Sequence, residues 1–142
     1  MNELNLDSNS SITEIENYEK EINTGYWLNR YHAEWCGHCI QMSNEWKNFL
    51  KQKKKVSVKI ASIEESAFNK LKNQPTSFRG FPTIMLTKNG KFVSEFNGNR
   101  TSENFQNFIN ENCPKISLKS TLKKNKKLKK QRKNRSLSQK KN

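Results

Sequence analysis

No apolar run in this chain approaches the ~18 residues that a membrane-spanning helix requires, so no span is expected. The first eleven residues carry Glu3 and Asp7 but neither a basic segment nor an apolar core. A secretory signal peptide is therefore not expected, and the location read from the sequence is intracellular, cytoplasmic or nuclear. Cysteine is scarce, with three in 142 residues. In a reducing compartment they do not form a structural disulfide framework. Acidic residues are missing altogether from 115–142, which hold 13 of the 27 Lys and Arg for a net charge of +13. Residues 1–114 hold 14 Lys and Arg and all 13 Asp and Glu, a net of +1. The basicity thus belongs to a tail. With 32% hydrophobic residues, the chain has room for one small domain. Asn (20) and Lys (22) are abundant, as A+T-rich coding would give, so single ones carry little information.

Residues 1–10 are polar and aperiodic, and are read as a flexible N-terminal arm, pairing at most as a short edge strand. The folded domain is placed at 11–114. Ser11 and Glu14 match a capping box, and Ile12, Ile15, Tyr18 and Ile22 recur at helical spacing, giving an amphipathic helix that ends at Gly25. The aromatic-rich run Tyr26 to His32 predicts a buried strand leading into Ala33 to Cys39. A second helical pattern passes through Met42, Trp46, Phe49 and Leu50, with Lys51 to Lys55 as its solvated end. Val56 to Ile63 alternates as a strand with one buried face, and Ser66 to Leu71 reads as a short helix. Phe81 to Thr87 and Phe92 to Phe96 flank Asn89-Gly90, a hairpin signal. Ser102 to Asn112 predicts the last helix, stopping before Pro114. This order gives an α/β fold with a mixed sheet and helices on both faces. Residues 115–142 have few large apolar residues and no acid to offset repulsion, so they are expected to be disordered. No internal repeat is visible.

Chemistry concentrates in Trp35-Cys36-Gly37-His38-Cys39. A C-x-x-C at a strand-to-helix junction places its first sulfur over free backbone N–H groups, which favour thiolate over thiol. The two-residue spacer lets Cys39, one turn on, reach Cys36 and resolve a mixed disulfide. His38 adds a donor and, when protonated, a positive charge that favours the reduced form. A zinc site would need four ligands, yet only Cys113, His32 and His38 remain to complete one, so no metal is expected.

With WCGHC, Ala33-Glu34 before it, Arg79-Gly80-Phe81-Pro82-Thr83-Ile84 and Asn89-Gly90, the chain resembles the thioredoxin superfamily over about Ser11 to Cys113. It looks most like the catalytic domains of protein disulfide isomerases. The resemblance implies a thioredoxin-like fold with a central mixed sheet of four or five strands. It also implies a cis Pro82 lying against the cysteines, with Phe81 and Thr83 beside it helping to hold an extended substrate segment, and Trp35 as substrate-facing surface. Relatives usually carry a buried acid six residues before the first Cys, where this chain has Arg30, whose charge could lower a nearby cysteine pKa. Lys59 matches a lysine that relatives keep near that acid, so Arg30 and Lys59 are both tuning candidates. Deprotonation of Cys39 is then left to water or to another nearby acid, for which Glu34 is a candidate. Asn44 stands where relatives have a kinking proline, and 74–78 is one residue longer than usual. His32, Trp27 and Trp46 are read as packing residues, and Cys113 as incidental.

The function expected is thiol–disulfide exchange on protein substrates by a monomer, with Cys36 attacking, Cys39 resolving, Gly37 and His38 in the spacer, and no cofactor beyond that pair. The alternative is a binding or scaffold module, favoured by Arg30. The tail suits nucleic acid or another polyanion, and Lys123 to Arg135 resembles a nuclear localisation cluster. Lacking aromatics, it offers no base stacking. Disulfide formation in the cytosol, as in assembly of a cytoplasmic DNA virus, would reconcile an oxidising pair with a reducing compartment and would add the virion as a location.

Overall fold

A computed structural model of the chain describes residues 2–73 and 79–116. The elements are β1 (Glu3–Leu6), α1 (Ile12–Glu21), β2 (Tyr26–His32), α2 (Gly37–Gln41), α3 (Ser43–Lys51), β3 (Lys59–Glu64), a 3-10 helix (Glu65–Lys70), β4 (Thr83–Lys88), β5 (Lys91–Glu95) and α4 (Ser102–Asn112). One five-stranded sheet runs in the order β1-β3-β2-β4-β5. β1 and β2 lie parallel to β3, β4 is antiparallel to β2, and β5 returns antiparallel to β4.

Local chemistry explains the helix starts. Ser11 accepts the Glu14 N–H while the Glu14 carboxylate accepts the Ser11 N–H, closing the capping box. Thr101 caps α4 with its side chain alone, accepting the Asn104 N–H. Two apolar layers then sandwich the sheet. Trp46 and Phe49 of α3 and Phe105 and Ile109 of α4 pack with Leu28, Ile60, Ile84 and Leu86 on one face. Ile15 and Tyr18 of α1 pack with Trp27, Ala61, Ile63 and Ala67 on the other.

Several sequence expectations need correction. The N-terminal arm is not loose at residues 3–6: β1 pairs with β3 in register Glu3 to Ile60 through Leu6 to Ile63, and Leu6 is buried. The short edge strand allowed for in this arm therefore forms, and its stability comes from its neighbour β3. At the other end, Lys115 bridges Val56 and the Ile116 N–H donates to the Lys55 carbonyl, so the folded unit extends past 114. The rest of the tail and the 74–78 stretch lie outside the described residues. Burial alternates from Val56 to Ile60 as expected, but Ala61 to Glu64 are buried throughout because β3 is covered on both faces and flanked on both sides. The helix expected after β3 is a 3-10 helix. The helix after Cys36 breaks at Met42 (ψ −2°), with no proline present. Ile12 is exposed, and Lys54 is buried rather than solvated, its ammonium donating to the Phe49 and Gln52 carbonyls at the end of α3. The Phe49 carbonyl also accepts the Gln52 N–H (3.2 Å), and carbonyls at a helix C-terminus favour a cation. Burial still draws the Lys54 pKa down to about 8.

Candidate active site

β2 ends at His32, and the chain turns through Ala33-Glu34-Trp35 to put Cys36 at the N-cap of α2. The turn is held by the Cys36 N–H donating to the Ala33 carbonyl (3.1 Å) and by the Glu34 N–H donating to the Glu64 carboxylate (3.1 Å). Cys36 Sγ accepts the Cys39 N–H at 3.1 Å. Its thiol lies 3.3 Å from the Phe81 carbonyl as donor. Phe81 precedes Pro82 in a cis peptide, as the resemblance implied, and Thr83 Oγ1 fixes the loop by donating to the Gly80 carbonyl at 2.7 Å. Cys36 and Cys39 are free thiols, both buried to 5% exposure, packed with Ala33 and Phe81. Gly37 sits in open space at the start of α2, with no neighbour that a Cβ would meet.

Two exposed apolar groups frame the sulfurs. Trp35 is 70% exposed, its indole N–H donating to Glu65 (2.9 Å) and its ring edge-on to Phe81 at 5.8 Å. Ile40, also exposed, follows on α2. His38 projects to the other side and lines a cavity of about 410 Å³ with Gln41, Met42, Gly98, Asn99 and Arg100.

Beneath the cysteines, burial and the bond to Cys36 push the Cys39 thiol up to about 11, while the Arg30 charge pulls it down. Arg30 points inward. Its Nε donates to Ser62 Oγ at 2.8 Å, its guanidinium stacks over Trp46 (5.1 Å), and its terminal nitrogen is 3.9 Å from Glu3 Oε2. The same Glu3 oxygen accepts the Trp46 indole N–H (2.6 Å) and the Ser62 hydroxyl. Burial lowers the Arg30 pKa, and Glu3 and Cys39 oppose that. Sequence reading missed Glu3. The signal available was that an inward cation in a central strand demands a carboxylate, and one of the few edge segments free to bring it was residues 1–10.

Not every sequence candidate arrives. Lys59 is opposite Trp27, at the far end of β3, and pairs loosely with Glu21 (3.8 Å) in solvent; the residue opposite Arg30 is Ser62. Glu34 keeps its carboxylate in solvent. His32 packs beside β3 opposite Glu64, and burial, reinforced by the Arg30 charge, drops its pKa to about 4. Cys113 lies in the core at the end of α4, where burial pushes its thiol up to about 11. Among the described residues no group of three His, Cys, Asp or Glu side chains is placed to hold a metal. No helix among them is long and apolar enough to cross a membrane. Two sulfurs one turn apart, one of them capping a helix, can exchange electrons with another disulfide.

Comparison with known proteins agrees with this geometry. The protein disulfide-isomerase A6 homolog of Drosophila melanogaster is 36% identical over 90 residues, covering 61% of this chain and 20% of that protein. Human protein disulfide-isomerase A6 is 32% identical over 78 residues, covering 53% and 18%. The chain thus spans about a fifth of the length of these relatives. Among solved structures, a mutant thioredoxin from Halobacterium salinarum superimposes with a TM-score of 0.56 at 19% identity, over 81% of this chain and 94% of that one. The J-Trx1 fragment of ERdj5 gives 0.59 at 16% identity, over 77% and 50%. These two establish the fold alone. The thioredoxin family model matches residues 9–111, which run from before α1 into α4 and contain Cys36 and Cys39, and the chain belongs to that family.

Proposed function

We propose that this protein is a thiol–disulfide oxidoreductase acting on protein substrates, with Cys36 as nucleophile and Cys39 as resolving thiol. Cys36 as thiolate attacks a substrate disulfide, one substrate sulfur leaves as thiolate, and a mixed disulfide forms. Cys39, having lost its proton, attacks Cys36 Sγ; the second substrate sulfur leaves and the Cys36–Cys39 disulfide closes. Two electrons pass to the substrate, whose two thiolates take up the two protons that the cysteines release. Run backwards, the cycle oxidises a dithiol. If only the first exchange occurs and the substrate's own thiol resolves it, the result is isomerisation.

The observation that carries this reading is the setting of Cys36 Sγ, held by the Cys39 N–H at the head of α2 and facing the Phe81 carbonyl, with Cys39 one turn behind. Cys39, pushed up to about 11, holds its proton at neutral pH, so resolution is the step that needs help. The Arg30 charge supplies part of that help, and a proton acceptor from solvent supplies the rest. The chemistry needs no metal or organic cofactor. With His38 in the spacer, the potential belongs nearer about −180 mV than about −270 mV, which favours oxidation or isomerisation over general reduction.

The test is the equilibrium potential of the pair in glutathione buffers, followed by Trp35 fluorescence in a Cys113→Ser background. A value near about −180 mV supports the oxidising assignment, and one near about −270 mV makes the protein a reductant. Failure to form the disulfide would transfer the proposal to a binding module. Cys36→Ser should abolish all turnover.

A further inference from the structure

Charge around the reactive sulfur is sorted by side. Glu64 and Glu65 stand on the Trp35 side, Glu64 holding the Glu34 N–H and Glu65 the indole. The opposite side is the cavity of about 410 Å³, whose lining contains the side chains of His38, Gln41, Met42, Asn99 and Arg100 and no acid. A volume of this order accommodates more than water, since small-molecule sites run from roughly 300 to 1,000 Å³. Arg100 is exposed, and among the described residues no carboxylate pairs with it. Glu45, on α3, accepts the Ser102 N–H two residues beyond Arg100 and does not line the cavity. The loop that presents Arg100 is fixed on both sides, because the Asn99 carbonyl accepts the Thr101 N–H and the Asn104 side-chain amide, each at 2.9 Å. Buried Met42 supplies an apolar floor.

A planar guanidinium with free donors, two neighbouring amides and an imidazole form a receptor for a carboxylate, which a guanidinium binds through two parallel hydrogen bonds. Distance then fixes where that carboxylate sits on a substrate. His38, Gln41 and Met42 lie two to six residues after Cys36, which at ~1.5 Å per helical residue is about 3–9 Å along α2. An extended polypeptide covers that span in about one to three residues at ~3.3 Å each.

We propose that this cavity is a specificity pocket for an acidic side chain, so that the preferred substrates of Cys36 are polypeptide disulfides with an Asp or Glu within about three residues of the reacting cysteine. The assignment rests on the thiol–disulfide function proposed above. Attraction across the pocket also raises the encounter rate, and it weakens with salt.

The test uses the full reduced chain and three peptides that differ at one position, Asp, Asn or Lys, three residues from a cysteine carried as its 2-pyridyl disulfide. Cys36 attacks the peptide sulfur, pyridine-2-thione leaves and is followed by absorbance, and Cys39 then releases the peptide thiol. The Asp peptide should react about fivefold faster than the Lys peptide, with Asn between, and the ratio should shrink as salt rises. Arg100→Gln should bring the ratio to about one, and Arg100→Glu should invert it. A general effect of Arg100 on the thiols moves all three rates together and leaves the ratio intact. The proposal is overturned by a ratio of one in the unaltered chain, or by a preference that survives Arg100→Gln. It is equally overturned if Arg100→Gln slows only oxidised glutathione, whose carboxylates offer the same chemistry in a small molecule. If no peptide reacts at all, the thiol–disulfide function itself falls, which separates the two failures.

Discussion

Arg30 and Glu3 depend on each other. A cation enclosed by Trp46 and Ser62 is tolerated because the Glu3 carboxylate faces it, and Glu3 in turn has its oxygen filled by the indole and hydroxyl donors. Breaking one half of such a pair leaves the other charge buried, at a cost of about 3 kcal/mol. Glu3→Gln should therefore destabilise the protein by about that amount in urea unfolding, and adding Arg30→Met should recover most of the loss. His32 gives a second residue-level expectation, with a definite sign. Its pKa of about 4 in the fold lies below the ordinary value near 6.5, so between these the unfolded chain binds the extra proton. Stability should fall as pH drops from about 6.5 to about 4, by up to about 3 kcal/mol, and His32→Gln should flatten that window. Glu64, whose pKa burial raises but hydrogen bonds from Ser66 and Glu34 lower on balance, loses its contribution only at more acid pH. Of these residues the sequence announced the cysteines, whose spacing is itself the chemistry. Glu3 was illegible because its role depends on which strand lies beside β3. Lys59 was misleading because the register places Ser62, not Lys59, across from Arg30.

At the scale of elements, the β4–β5 hairpin shows what a short motif can specify. Asn89 (φ 52°) and Gly90 (φ 83°) both take left-handed backbone, as a tight two-residue turn requires. Asn89 also clasps the loop before β2, its side chain accepting the Gly25 N–H and its own N–H donating to the Gly25 carbonyl. A Cβ on Gly90 would come within 2.7 Å of the Asn23 side-chain oxygen. Gly25→Ala, at a similar φ but in open space, should cost only the left-handed backbone penalty of about 1–2 kcal/mol, and Gly90→Ala should cost more; parallel urea titrations would compare them. Helices α1 and α4, strand β2 and this hairpin were legible because caps, periodicity and turn residues are local signals. β1 was legible only as an edge strand that the arm could at most form, since four residues are stabilised by their partner, and the break at Met42 carried no local signal.

For the whole molecule, charge is the dominant asymmetry: 115–142 hold a net +13 and the remainder +1. We infer that polyanion contact runs through this segment. Binding to a DNA duplex should weaken steeply with salt, each neutralised phosphate adding about 0.9 to the slope of log K against log salt. Truncation after Ile116, which keeps the pairing to Lys55 and Val56, should remove most of that slope in a fluorescence titration while peptide thiol exchange persists. That pairing also decides where the segment departs. Val56 precedes β3, whose first residues lie beside the start of β2, whereas Cys36 follows the end of β2, about 20 Å away along the strands. A molecule leashed by its C-terminal segment would therefore be anchored at one end and reactive at the other. On a crowded polyanion, such leashing raises the effective concentration of the cysteines for proteins held on the same scaffold while leaving the approach to them clear.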